Sequence, residues 1–197
     1  MVVVLTDFAK SYKYKEWSDF LTKFSIRKIA FAGVIAALYA ALTIALAPIA
    51  YGPLQFRIAE VLCILPFFFP FSVWGLFIGC IAANLLSPYY LDIIVGPIAS
   101  LLAALCTMRL GLISRERLSV KIMACFPPVI FNAVLIGAMI AYIMVSEGEA
   151  EAFMPAFLGN GLFVGIGQLG VLYVLGLPLM IYLPKTQIFS KFEQLTS

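Results

Sequence analysis

The chain of 197 residues is 63% hydrophobic and only 12% charged, with a formal net charge of +3 and a mean hydropathy of +1.06, whereas a soluble domain carries about a quarter charged residues. So little charge cannot cover a small globule, and the solvent for most of the chain is lipid. This excludes a secreted disulfide scaffold, a disordered tail and a soluble nucleotide-binding enzyme.

Six of the thirteen basic residues, Lys10, Lys13, Lys15, Lys23, Arg27 and Lys28, precede the first long apolar run. That stretch is too long for a cleavable signal and leads into an apolar run of spanning length, so the first helix is expected to be retained. Residues 29–50, IAFAGVIAALYAALTIALAPIA, carry no charge and are long enough to cross a hydrocarbon core of roughly 30 Å at about 1.5 Å per residue. Residues 51–60, YGPLQFRIAE, interrupt the pattern with a Gly-Pro turn signal and two charges. Gly52 and Pro53 would suit a hinged turn that closes over a ligand.

Two shorter apolar segments follow at 61–71 and 73–86, punctuated by Pro66 and Pro70. Each falls short of the ~20 residues a straight span needs, which predicts a short or broken helical pair. Residues 91–108 form a fourth span, and 109–121 a basic loop with Arg109, Arg115, Arg117 and Lys121. The fifth span, 122–145, is interrupted by Pro127, Pro128 and Asn132. An acidic loop at 146–157 contains no basic residue, and the glycine-rich sixth span covers 158–183. Lys185 and Lys191 lie near the C-terminal end.

Six spans put both termini and the central basic loop on one face, which then holds every basic residue except Arg57. By the excess of lysine and arginine, that face is the cytoplasm. The expected fold is an all-α, multi-pass integral protein of the cytoplasmic membrane: six transmembrane helices in one bundle, with N- and C-termini cytoplasmic. Residues 1–28 and 185–197 are read as cytoplasmic segments flanking a transmembrane substrate-binding domain at 29–184. Because the basic clusters alternate with apolar spans, they signal topology and not nucleic-acid binding. No internal repeat is evident.

Cys63, Cys80, Cys106 and Cys125 form no CxxC pair, and the chain has no histidine. Zinc and redox chemistry are therefore not expected, and the cysteines read as small packing residues. There is no GxxxxGK[ST] loop to cradle ATP, and no HExxH, Ser-His or Cys-His constellation. The sequence thus predicts no enzyme, no catalytic residues, no metal site and no cofactor; energy for any transport has to come from a partner or an ion gradient.

The polar residues at the outer ends of the spans remain: Gln55, Arg57 and Glu60 in the first outer loop, Asn84 and Asp92 around the second, Asn160 at the third. Ionisable groups at membrane depth cost roughly 2.5 to 3.5 kcal/mol each on insertion scales, so a convergence of them marks a substrate path. Each has a plainer alternative. Arg57 and Glu60, at i and i+3, could neutralise each other on a helix end; Asp92 could serve as the N-terminal cap of its span. Glu147, Glu149 and Glu151 suit a solvated face, and Asn132 and Gln168 suit hydrogen bonding between helices. The first span also carries small residues four apart, Ala32, Ala36, Ala40 and again Ala37, Ala41, Ala45, a spacing that lets another helix approach closely. The same pattern recurs at Gly75 with Gly79 and Gly161 with Gly165.

The stretches PIAYGPLQFRIAEVLCILPFF (48–68) and GLFIGCIAANLLSPYYLDIIVGPIASLLAA (75–104) resemble the QueT-type family of queuosine precursor transporters, which are substrate-binding S components of energy-coupling factor (ECF) transporters. The resemblance is strong over about 29–108 and continues as span pattern beyond; the run GPLQFRIAE carries it, with Ala59 where the family leads one to expect serine. It implies a bundle that captures a 7-deazaguanine, such as the cyano or aminomethyl precursor of queuosine or queuine, from outside. Two partner ATPases, acting through a transmembrane coupling protein, would then spend the ATP. On this reading Ala32, Ala36 and Ala40 face the coupling protein, and Glu60 or Asp92 accepts from the guanine-like N–H edge while the other faces a cationic aminomethyl group. Gln55, Asn84, Asn160 and Arg57 add polar contacts, and Tyr51, Phe56 and Tyr89 stack on the ring. An S component for another vitamin, cobalamin among them, and a solitary ion-coupled carrier are the alternatives.

Overall fold

Apolar runs in lipid have no water to satisfy their backbone and must close their hydrogen bonds within helices. In the computed structural model, which describes residues 25–51 and 55–196, every regular element is helical. The basic residues Lys10 to Lys23 and the Gly52-Pro53 turn lie outside the described residues.

Helix α1 (Ile26–Ala45) starts at Ser25, whose hydroxyl accepts from the Lys28 amide, and is continued past Leu46 by the short α2 (Ala47–Ala50). A 3₁₀ segment, Ile58–Phe67, precedes α3 (Ser72–Asn84) and α4 (Asp92–Ile113). Helix α5 (Leu118–Ala124) leads into α6 (Phe126–Ser146), which takes Pro127 and Pro128 in its first turn, where no amide hydrogen is missed. Helix α7 (Phe153–Leu169) widens into a π-helical stretch, Gly170–Gly176, and continues as α8 (Leu177–Tyr182) and a short 3₁₀ turn, Leu183–Lys185. Helix α9 (Gln187–Thr196) follows.

Among the described residues, four continuous helical stretches are long and apolar enough to cross a membrane: Ile26–Ala45, Asp92–Ile113, Leu118–Ser146 and Phe153–Lys185. The 3₁₀ segment and α3 are the two shorter apolar elements, as the proline-punctuated pair in the sequence suggested. Ten residues is long for 3₁₀ geometry, but its ~2.0 Å rise per residue carries the chain about 20 Å where an α-helix would reach about 15 Å.

The loops are shorter than the sequence reading made them. The basic loop contracts to residues 114–117, with Arg109 inside α4 and Lys121 inside α5, and the acidic one to 147–152. Hydrogen-bonded backbone is favoured wherever the chain approaches the bilayer, so the helices extend through residues that composition alone had assigned to loops.

Small residues set the closest helix crossings. A Cβ on Gly75 would lie 2.6 Å from the Ala32 carbonyl oxygen, and one on Gly79 would lie 2.7 Å from that of Ala36, so α1 and α3 meet backbone to backbone. Helices α6 and α7 do the same at Gly137 and Gly161. Two apolar clusters result. The larger includes Tyr39, Leu76, Ala104, Met108, Val129 and Leu172; the smaller joins Ile136, Met139, Ile140 and Ile143 of α6 to Val164 of α7, with Tyr89, Leu91 and Val95 packed on it. At the end of the bundle where the 3₁₀ segment turns into α3, Phe68 meets Phe189 of α9 edge-on, Phe69 packs on it at a tilt, and Phe31 meets Phe192. The tail is thereby pinned to the bundle. Apolar side chains such as Val34, Leu38, Ile78, Ile94, Ile130, Leu162 and Ile166 point outward, the belt expected of helices bathed in lipid.

Candidate binding site

The opposite end of the bundle holds a buried polar group. Arg57, on extended backbone just before the 3₁₀ segment, and Asp92, the first residue of α4, form an ion pair that is almost wholly removed from solvent. Taking two charges out of water is costly unless they are paired and hydrogen-bonded, and the neighbours supply those bonds. The Ser87 hydroxyl donates to Asp92 Oδ2 at 3.0 Å, Arg57 donates to Asn84 Oδ1 at 3.5 Å, and Asn84 Nδ2 donates to the Asp92 carbonyl at 2.8 Å. Tyr51 lies under the guanidinium, 5.2 Å from ring centroid to Cζ, and its hydroxyl donates to the Ala83 carbonyl at 2.8 Å. Burial pushes the Tyr51 phenol up to about 12, so it stays a donor.

Gly96 makes room for this group. A Cβ there would lie 2.2 Å from Asn84 Nδ2 and 2.8 Å from Asp92 Oδ1. No signal in the sequence reading singled it out, although it stands four residues after Asp92 and therefore one helical turn along the same face.

Glu60 is also fully buried, but its partners are different. Tyr39 donates to Oε1 at 2.6 Å and the Cys63 thiol to Oε2 at 2.9 Å. The Arg57–Glu60 pairing that the i, i+3 spacing allowed does not form; Arg57 goes to Asp92 instead. Nor is Asp92 an N-cap: it sits inside the first turn of α4, and its Oδ2 accepts from Arg57 and Ser87. Cys80 takes weak hydrogen bonds from Asn84 and Ser100.

Gln55 stands beside Arg57 with φ of 47°, a left-handed conformation that costs a non-glycine residue about 1–3 kcal/mol and persists where the surroundings impose it. Its side chain is buried, with neither amide atom hydrogen-bonded among the described residues. Phe56 lays its ring on Gly170, at the start of the π-helical stretch, where a Cβ would be 3.0 Å from Cε2.

The structure thus brings together Tyr51, Arg57, Asn84 and Asp92, with Gln55 and Phe56 adjoining in the chain. Tyr89 packs on the smaller apolar cluster, its amide held by Ser87 Oγ. Asn160 is not joined to the group: its amide donates to the Ala156 carbonyl and toward Met144 Sδ. Asn132 Nδ2 and Gln168 Oε1, which the sequence offered as bonds between helices, have no hydrogen-bond partner among the described residues. Of the alanines, Ala32 and Ala36 are taken up inside the chain against Gly75 and Gly79, and Ala40 is half-buried; Gly33, Ala37, Ala41 and Ala45 form the exposed small-residue face. Among the described residues no three His, Cys, Asp or Glu side chains are grouped to hold a metal ion.

The sequence profile of the QueT transporter family matches residues 29–185. A queuosine precursor transporter QueT from Lactococcus lactis subsp. cremoris (strain MG1363) is 41% identical over 70 residues, which cover 34% of this chain and 41% of the relative. The matched part therefore spans less than half the length of that curated relative. No solved structure matches the chain.

Proposed function

The chain belongs to the QueT transporter family, and on that premise we propose that it captures a queuosine precursor, a 7-deazaguanine of the cyano or aminomethyl kind or queuine, as the S component of an ECF importer. The observation that carries the substrate reading is the Arg57–Asp92 pair. Among the described residues Arg57 Nε and Asp92 Oδ1 are buried without a hydrogen-bond partner, a donor and an acceptor on the two members of one ion pair. A lactam edge of a guanine-like ring offers the matching acceptor and donor, O6 and N1–H, and charged groups make the stronger hydrogen bonds. Asp92 suits this contact better than Glu60, whose two oxygens are already engaged.

In this reading the four long helices and the two shorter apolar elements make six crossings, with both termini cytoplasmic and the Arg57 end facing outward. The bilayer is the cell membrane. ATP is spent by two partner ATPases acting through a transmembrane coupling protein, and this chain has no catalytic role. The coupling protein docks on Gly33, Ala37, Ala41 and Ala45, the small-residue face of α1 that the chain itself leaves open.

Titration of the detergent-purified protein with cyano- and aminomethyl-deazaguanine, with guanine and a vitamin panel as controls, tests the substrate. Tight binding of the deazaguanines with guanine excluded is the expected result; selective binding of cobalamin or another vitamin would replace the substrate and keep the architecture. Co-purification from the native membrane tests the assembly, since an S component brings the coupling protein and ATPases with it and a solitary ion-coupled carrier comes alone.

A further inference from the structure

Five residues have buried side-chain nitrogen or oxygen atoms without a hydrogen-bond partner among the described residues: Gln55 (Nε2 and Oε1), Arg57 (Nε), Asp92 (Oδ1), Asn132 (Nδ2) and Gln168 (Oε1). Buried polar atoms are ordinarily paired, and leaving one unpaired is unfavourable. These five come from four separate parts of the chain, and three contacts relate them. Arg57 and Asp92 are bonded to each other. The Phe56 ring on Gly170 sets the Gln55–Arg57 stretch beside the helix two residues past Gln168. From the Gly137–Gly161 crossing, Asn132 lies five residues back along α6 and Gln168 seven onward along the antiparallel α7, about 8 and 10 Å in the same direction at 1.5 Å per residue.

The apolar clusters place Asn132 and Gln168 relative to each other. Asn132 has Val129 of the larger cluster one turn to one side and Ile136 of the smaller one turn to the other; Gln168 stands likewise between Leu172 and Val164. Asn132 and Gln168 therefore stand at the seam between the two cores. A π-helical stretch, an irregularity frequent at functional sites, begins two residues beyond Gln168.

We propose that Asn132 and Gln168 are substrate-contacting residues that complete, from α6 and α7, the site begun by Gln55, Arg57 and Asp92, and that they read the far edge of a small planar heterocycle. This rests on the capture function above and extends it. Together the five residues offer three donors (Gln55 Nε2, Arg57 Nε, Asn132 Nδ2) and three acceptors (Gln55 Oε1, Asp92 Oδ1, Gln168 Oε1). That set fits a ring carrying both donors and acceptors around its rim and rejects a purely apolar guest, which would leave all six groups unpaired.

The test uses Asn132→Leu and Gln168→Met in the full chain, read by thermal unfolding without ligand and by titration with 7-cyano-7-deazaguanine. Removing an unpaired buried polar group is expected to hold or raise the ligand-free Tm while weakening binding at least tenfold. Unchanged affinity in both variants overturns the proposal, as does a fall in ligand-free Tm, which would make the two residues structural; where leucine at 132 does not fold, Asn132→Ala is read in the same way. If the parent binds no deazaguanine, the capture reading fails for that substrate. The ligand-free Tm still decides the assignment then: a Tm held or raised retains it and a fall removes it.

Discussion

Arg57 and Asp92, 35 residues apart in the chain, meet as a buried ion pair with 3% and 0% of their side chains exposed. Removing one partner of such a pair strands a buried charge, a loss of about 3–5 kcal/mol, whereas replacing both by apolar groups is often neutral. Asp92→Leu is therefore expected to unfold at markedly lower temperature, and Arg57→Met with Asp92→Leu to recover most of that stability. The double variant should still fail to bind substrate. Differential scanning fluorimetry with parallel titration checks both; a double variant that binds as the parent does would remove the pair from the site.

The two buried carboxylates should separate by experiment. Both oxygens of Glu60 accept bonds from Tyr39 and Cys63, whereas Asp92 Oδ1 has no hydrogen-bond partner among the described residues. Glu60→Gln is expected to weaken deazaguanine binding less than Asp92→Asn does. Tyr39→Phe should act on stability, by about 1–3 kcal/mol, since it deprives a buried carboxylate of a hydrogen bond. Equal losses of affinity for Glu60→Gln and Asp92→Asn would contradict this division.

Gly96→Ala offers a test that helix propensity cannot confound. Alanine is favoured over glycine in a helix interior by about 1 kcal/mol, but here its Cβ would press on Asn84 and Asp92. Affinity is expected to fall tenfold or more as those two side chains shift. Binding indistinguishable from the parent would mean that the Asn84–Asp92 geometry does not matter to the ligand.

On α1, adjacent alanines should give opposite phenotypes. Ala36→Leu would drive a side chain into the backbone contact with Gly79 and lower the Tm of the isolated protein. Ala37→Leu and Ala41→Leu point outward and should leave Tm and substrate binding unchanged while blocking co-purification of the coupling protein. Intact assembly in both outward variants would move the docking face elsewhere.

The apolar segments and the bias of basic residues were legible without coordinates, because burial in lipid imposes a compositional rule on every spanning residue. So was the polar character of Gln55, Arg57, Asn84 and Asp92, since polar groups in apolar surroundings stand out one at a time. The partnerships were not. Arg57 chose Asp92 over Glu60, three residues away, because the choice depends on how α4 and the 3₁₀ segment come together, which is a long-range property. In the same way, two alanine stripes on α1 look equivalent as spacing, and packing against Gly75 and Gly79 alone determines which is consumed. Asn132 and Gln168 read as ordinary bonds between helices until the fold left Asn132 Nδ2 and Gln168 Oε1 without a hydrogen-bond partner among the described residues. Composition determines where a chain of this kind resides; the crossing of its helices decides which of its polar groups remain available to a ligand.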